Sequence, residues 1–203
     1  MGKKSAYHHG DLRAALLKAA AEEIERNGYE TLSLRELATS LNVSRAAPYR
    51  HFPDKRALLA TLATEGFEQL SAMYRAASLS TKNPEARLKD AGIGYLELAT
   101  KRPQLFRLMF ASDLLGGNEP PDPKLSAAAL ESYQIFEGMV ADALGHPDIR
   151  TVKAATIAGM SATYGFALLC MGDRLRPFMV GDLSHGQLVD AVLSLRPSKP
   201  TKA

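Results

Sequence analysis

Apolar residues recur along this chain at intervals of three and four, the spacing of one face of an α-helix, and no run of alternating β-branched residues bounded by turn signals interrupts them. The pattern predicts an all-α fold of about nine helices. Leu12, Leu16, Ala20, Ile24 and Asn27 share one face, while Glu22, Glu23, Glu25 and Arg26 fall elsewhere and Gly28 supplies a stop, which places a first helix over about 11 to 27. Ser33-Leu34-Arg35-Glu36 matches a capping box, so a second helix is expected from 34 to about 40. Asn42 suits a left-handed turn residue, and Ser44 stands where it would cap a short third helix reaching about Arg50. After Pro53, Asp54 caps a long helix that carries Leu58, Leu62, Leu70, Met73 and Ala77 at helical spacing.

The remaining punctuation is equally regular. Asn83-Pro84 reads as an N-cap followed by proline at the first helical position, and Pro103 ends that helix and opens a short one over about 103 to 111. Gly116, Gly117, Pro120 and Pro121 mark a loop from 114 to 122. Asp122-Pro123 restarts a helix that Gly145 and Pro147 terminate, a further helix is expected over about 149 to 172, and a last one over about 184 to 195. A chain of 203 residues accommodates a small domain joined to a larger one. The division expected is 1–56 and 57–203.

Charge changes the picture once it is divided along the chain. The net charge is +3, and residues 1 to 56 hold ten Lys/Arg against seven Asp/Glu, which leaves 15 of each for the rest. All of the excess therefore sits in the first quarter, with His8, His9 and His51 beside it. A localised basic patch is the electrostatic footprint of a module that contacts nucleic acid, although a solvated charged face has the same composition. A single cysteine, Cys170, excludes an intramolecular disulfide framework, and no apolar stretch of the secretory type follows Met1-Gly2-Lys3-Lys4, so a reducing cytoplasm is the expected setting.

Two short helices joined by a few residues, with Leu34, Leu37, Ala38, Leu41 and Val43 forming an apolar underside, make a helix-turn-helix over roughly Ser33 to Phe52. Four bases lie between 44 and 56 (Arg45, Arg50, Lys55 and Arg56) against one acid, Asp54. Here the motif becomes specific. The runs Ser33-Leu34-Arg35-Glu36-Leu37-Ala38 and Asn42-Val43-Ser44-Arg45-Ala46-Ala47-Pro48-Tyr49-Arg50-His51-Phe52-Pro53-Asp54-Lys55-Arg56-Ala57-Leu58 resemble the TetR family. Two positions depart from its pattern: Asn42 replaces a turn glycine and Pro48 a leucine of the recognition helix. With Ser44 as the cap, Pro48 is the fourth helical residue and forfeits only the first intrahelical bond, so the helix is expected to persist.

The resemblance implies an N-terminal three-helix bundle with the helix-turn-helix, followed by a larger helical domain for ligand binding and dimerisation. It implies that Arg45 and Ala46, with Arg50, face base edges, where arginine suits guanine and alanine a thymine methyl. Ser33, Ser44, Tyr49, His51 and Lys55 match positions that contact phosphates, which position the protein without specifying sequence. The Tyr49 ring has packing inside the small domain as its alternative, and Phe52 is expected in the core. Lys3 and Lys4 form either a DNA-reaching arm or a solvated terminus.

In the larger part, residues 154 to 172 carry no charge and are long enough for a membrane span, but Thr156, Gly159, Ser161, Thr163 and Gly165 dilute the hydrophobicity and favour a helix–helix contact. The resemblance implies a four-helix seam across a two-fold axis, to which Ala155, Gly159, Ala162, Leu188 and Val192 are assigned. A homodimer fits a palindromic operator in double-stranded DNA, because two recognition helices one turn apart read its halves. Phe106, Met109, Phe110, Tyr133, Phe136 and Tyr164 are assigned to a small-molecule effector pocket, with plain core packing as the alternative. The segment from Arg102 to Phe110 resembles a subgroup with a WHG-type C-terminal domain, although Met160 and Tyr164 stand where its Trp and His would be. No phosphate-binding glycine loop, HExxH or GxSxG is present, so no catalytic residue, cofactor or metal is expected; adjacent His8 and His9 do not share a helical face. The function expected is a sequence-specific transcriptional regulator, a repressor released by its ligand; a helical adaptor for protein partners is the alternative.

Overall fold

The computed structural model describes residues 12–80 and 83–194. Among them are nine α-helices and no strand: α1 (Leu12–Asn27), α2 (Leu34–Ser40), α3 (Lys55–Ser80), α4 (Pro84–Lys101), α5 (Pro103–Ala111), α6 (Pro123–Leu144), α7 (Ile149–Met171), α8 (Pro177–Val180) and α9 (His185–Leu193). The all-α expectation holds, and the helix starts sit where capping chemistry put them. Asn83 Oδ1 accepts from the Glu85 amide at 2.9 Å, Asp122 Oδ1 from the Lys124 amide at 2.8 Å, and Asp54 Oδ1 from the Ala57 amide at 2.8 Å. Ser184 and Gln187 form a reciprocal capping box at α9. Leu195, assigned to that helix from sequence, lies outside the described residues.

Three features differ from expectation. The capping box at α2 is not formed: Ser33 is extended and its side chain makes no capping bond. Burial of Leu34 and Leu37, together with the backbone bond from the Leu37 amide to the Ser33 carbonyl at 3.0 Å, fixes the helix start instead. The third helix is not an α-helix but a 3₁₀ turn over Pro48–Arg50. The short α8 has no counterpart in the expected pattern; it begins on Pro177, whose ring presets the first helical φ.

The chain divides into two compact units. The first comprises residues 1–66 and 104–126. Its core joins Leu16, Ala20 and Ile24 of α1, Leu37 and Ala38 of α2, and Leu58 and Leu62 of α3 with Leu105, Phe106 and Leu108 of α5. Each buried leucine, isoleucine or phenylalanine side chain of this set contributes about 1.5–3 kcal/mol. The N-terminus of α5 is closed by a residue far away in sequence, since the Glu25 carboxylate accepts from the amides of Gln104 at 3.2 Å and Leu105 at 3.1 Å.

The second unit comprises residues 67–103 and 127–203. Leu70, Tyr74 and Ala77 of α3 pack in it with Tyr95, Leu98 and Ala99 of α4, Met139 and Val140 of α6, and Val152, Ala155 and Phe166 of α7. On its α4 side the backbone at Gly92 comes close to α9: a β-carbon there would meet the terminal methyls of Leu193, which would have to shift. The Lys89–Asp190 ion pair, 2.8 Å, brackets the same approach.

Candidate nucleic-acid interface

The turn after α2 is built by backbone hydrogen bonds. The Val43 amide donates to the Ala38 carbonyl at 3.0 Å and the Asn42 amide to the Thr39 carbonyl at 3.1 Å, with Asn42 at φ 54°. This is a Schellman closure with asparagine in the left-handed position usually given to glycine. The chain then re-enters the unit at Pro48, which is almost fully buried. Its ring therefore fills the apolar place expected of a leucine, at the expense of the helix: having no N–H, it leaves the Ser44 carbonyl to the Ala47 amide at 2.9 Å. The next bonds run from Arg50 to Ala47 at 3.2 Å and from His51 to Pro48 at 2.9 Å, which keeps the tighter winding. Phe52 is buried, with the Arg13 guanidinium 5.2 Å from its ring centroid.

With positions 48 and 52 buried, several residues before and between them stay open to solvent. Ser44, Arg45, Ala46 and Arg50 are exposed, and Tyr49 is 45% exposed, so its ring is not packed in the core. Ser33, His51 and Lys55 are half-buried. The Lys55 ammonium donates to the Glu30 carbonyl, which ties the start of α3 to the segment before α2. Arg45 and Arg50 make no ion pair among the described residues. Lys3, Lys4, His8 and His9 lie outside those residues.

The six residues assigned to an effector pocket fall in both units. In the first, Phe106 and Phe110 are tilted against each other with centroids 4.8 Å apart, Phe106 is fully buried, and Met109 lies over Gly66. In the second, Phe136 meets Tyr74 at 5.5 Å, while the Tyr133 hydroxyl donates to Glu137 at 2.7 Å and Lys153 reaches the same carboxylate at 3.0 Å. Those two bonds hold the Glu137 carboxyl below its usual range. Tyr164 is half-buried.

Sequence reasoning missed the most unusual polar group in the second unit. Ser71, 1% exposed, has no hydrogen-bond partner for its hydroxyl among the described residues. One helical turn on, Tyr74 is also buried, and burial lifts the hydroxyls of Tyr74 and Tyr95 well above the usual tyrosine range; the fields of Tyr74 and Tyr164 both reach Tyr95. A serine amid the apolar α3 face was the available signal.

Of the residues assigned to the dimer seam, Ala155 is buried in its own unit, Gly159, Leu188 and Val192 are half-buried, and Ala162 is exposed. Exposed apolar side chains of this unit include Ile157, 59% exposed, and Met160 on α7, Phe178, 88% exposed, and Met179 on α8, and Leu183, with Leu79, Leu130 and Ile149 exposed elsewhere in it. By length and composition α7 is apolar enough to cross a membrane. Cys170 is half-buried, and burial pushes its thiol pKa up, away from the reactive thiolate.

The N-terminal geometry defines a helix-turn-helix protein with Arg45 and Arg50 exposed after its turn. Residues 16–62 match the family described as bacterial regulatory proteins, tetR family, and residues 88–194 match the tetracyclin repressor-like C-terminal domain. The chain belongs to the TetR family of DNA-binding regulators. It is 24% identical over 168 residues to the nucleoid occlusion factor SlmA of Marinobacter nauticus, covering 82% of this chain and 83% of that one. It is similar to the structure of a protein of unknown function from Rhodococcus sp. RHA1, with a TM-score of 0.74, 29% identity, and 94% and 93% of the two chains covered. It also shares its fold with AibR in complex with isovaleryl coenzyme A and operator DNA, with a TM-score of 0.60 at 20% identity over 89% of this chain and 95% of that one.

Proposed function

We propose that this protein is a sequence-specific transcriptional regulator, acting as a repressor, that binds a palindromic operator as a homodimer in the cytoplasm and is released by a small-molecule effector. The observation that carries the reading is the alternation at the motif: Pro48 and Phe52 are buried while Arg45, Ala46, Tyr49 and Arg50 face out. Arg45, Ala46 and Arg50 read bases; Ser33, Ser44, Tyr49, His51 and Lys55 bind phosphates and set the register. DNA binding is assigned to residues 1–56, and effector binding and dimerisation to 57–203. The exposed apolar surface of α7 and α8 supports the dimer, to which Ala162, Gly159, Leu188 and Val192 are also assigned.

The unpartnered Ser71 hydroxyl and the buried tyrosines of the second unit supply neutral hydrogen-bonding groups for an effector, next to Phe136 and Tyr164 of the set assigned from sequence. The set in the first unit, Phe106, Met109 and Phe110, serves as core there. That AibR was crystallised with both an acyl coenzyme A and operator DNA supports ligand control on this fold.

Operator selection from random duplex DNA followed by gel shifts tests the reading. Arg45→Ala weakens specific binding by ~1–3 kcal/mol and relaxes one base position, whereas Lys55→Ala weakens binding to every sequence and lowers the salt slope by about 1. Unchanged operator affinity in both variants removes this edge from the interface. The likeness to a protein named a nucleoid occlusion factor favours a second reading, a role in nucleoid occlusion in place of transcriptional control. Transcript profiles with and without the protein separate the two: changes confined to genes beside the selected sites support the regulator, their direction distinguishes repression from activation, and unchanged transcripts support the second reading.

A further inference from the structure

Arg56 stands in the first turn of α3, beside Lys55 on the edge assigned to DNA, yet its charge is already matched. The guanidinium Nε lies 3.1 Å from Glu119 Oε2, and Nη1 lies 3.4 Å from Asp113 Oδ1. Nη2 donates to the Asp113 carbonyl at 3.4 Å. Both carboxylates come from the loop after α5, and all of these groups belong to the first unit. The turn that presents them is specified by a glycine. The Gly117 amide donates to the Asp113 carbonyl at 2.9 Å, and a β-carbon at 117 would come within 2.7 Å of the same oxygen.

The surroundings are acidic on this side. Tyr29 has its hydroxyl pKa raised first by burial, then by Glu30 and Asp113, with Arg107 opposing. The side chain of Arg56 is 28% exposed, while Asp113 and Glu119 are open to solvent. Ion pairs whose carboxylates are open to solvent are weak, so a phosphate, which accepts bidentately from arginine, competes with them.

We propose that Arg56 is a phosphate-binding group held in reserve: Asp113 and Glu119 neutralise it, and the loop that carries them thereby sets the strength and the salt dependence of DNA binding. The inference rests on the DNA-binding reading above and adds a regulator of that same surface. Movement of the 113–119 loop frees one cation at the DNA edge without touching any base-reading residue.

The experiment uses the full-length protein and fluorescence anisotropy with a labelled mixed-sequence duplex, at several salt concentrations. Asp113→Asn with Glu119→Gln keeps the shape of both side chains and removes their charge. The expected result is roughly threefold tighter binding at low salt and a log K against log salt slope steeper by about 0.9, one added phosphate contact. Adding Arg56→Gln to the pair returns affinity and slope to wild-type values. An unchanged slope in the paired variant overturns the proposal, as does a gain that persists in the triple variant, which would report only the loss of two negative charges. The single variants Asp113→Asn and Glu119→Gln, each expected to give part of the gain, serve if circular dichroism shows the pair to be misfolded. Wild-type protein that binds no duplex at any salt overturns the DNA-binding reading as well; wild-type binding with an unmoved slope overturns this inference alone.

Discussion

At position 42 the backbone turns left-handed, and the side chain there decides what the turn costs. Asparagine tolerates φ 54° better than other non-glycine residues because its short amide bonds locally, whereas a β-carbon without that compensation is disfavoured by roughly 1–2 kcal/mol. Asn42→Ala is expected to destabilise the protein by ~1 kcal/mol in urea unfolding, with Arg45 and Arg50 untouched. This residue was legible in the sequence because a single local conformation accounts for it. Pro48 was legible only in part. Its effect on one hydrogen bond was counted correctly, but the segment from Ser44 to Arg50 is too short to propagate an α-helix once its first closing bond is missing. Ser71 was not legible, since periodicity places a serine on a face and says nothing about whether another group answers its hydroxyl.

Among the elements, α5 shows what sequence patterns reach and where they stop. Its bounds, Pro103–Ala111, follow from the proline and from the apolar run Leu105, Phe106, Leu108 and Met109. Its cap does not. Glu25 counts among the polar residues of α1, and only folding brings its carboxylate to the Gln104 and Leu105 amides. Glu25→Ala is expected to cost ~1–2 kcal/mol by removing both acceptors and the favourable charge at the helix N-terminus, and Glu25→Gln less, because one oxygen still accepts. Denaturant unfolding of the two variants measures the difference; equal losses would show that the single oxygen kept by glutamine contributes nothing and that the whole effect lies in the charge and the second acceptor. The four-residue α8 was invisible for a related reason, since it barely exceeds one helical turn and gives apolar spacing no room to repeat.

For the whole molecule, the uneven charge of the chain proved more informative than its total. The first 56 residues hold the excess, and the exposed bases of the helix-turn-helix are among them. Composition identified aromatic and thioether residues suited to a pocket but not their neighbours, so the six assigned residues divide between two units. The dimer proposed for the second unit makes a clear demand on Ile157. Because that side chain is 59% exposed, Ile157→Glu leaves the subunit folded, yet it buries an unpaired charge in the seam and is expected to weaken dimerisation by ~2–4 kcal/mol. Gel filtration should show a monomer, and binding to a palindrome should fall to that of a half-site. A dimer that survives the substitution places the seam elsewhere.

The open apolar face of α7 and α8 also bears on gene dosage. With the paired form as the one that grips both halves of an operator, its abundance at low copy number rises with the square of protomer concentration, so doubling expression about quadruples the supply of competent regulator. If the proposed dimer forms there, a surface that reads as unfinished packing in a single chain converts a graded change in synthesis into a sharpened response at the operator.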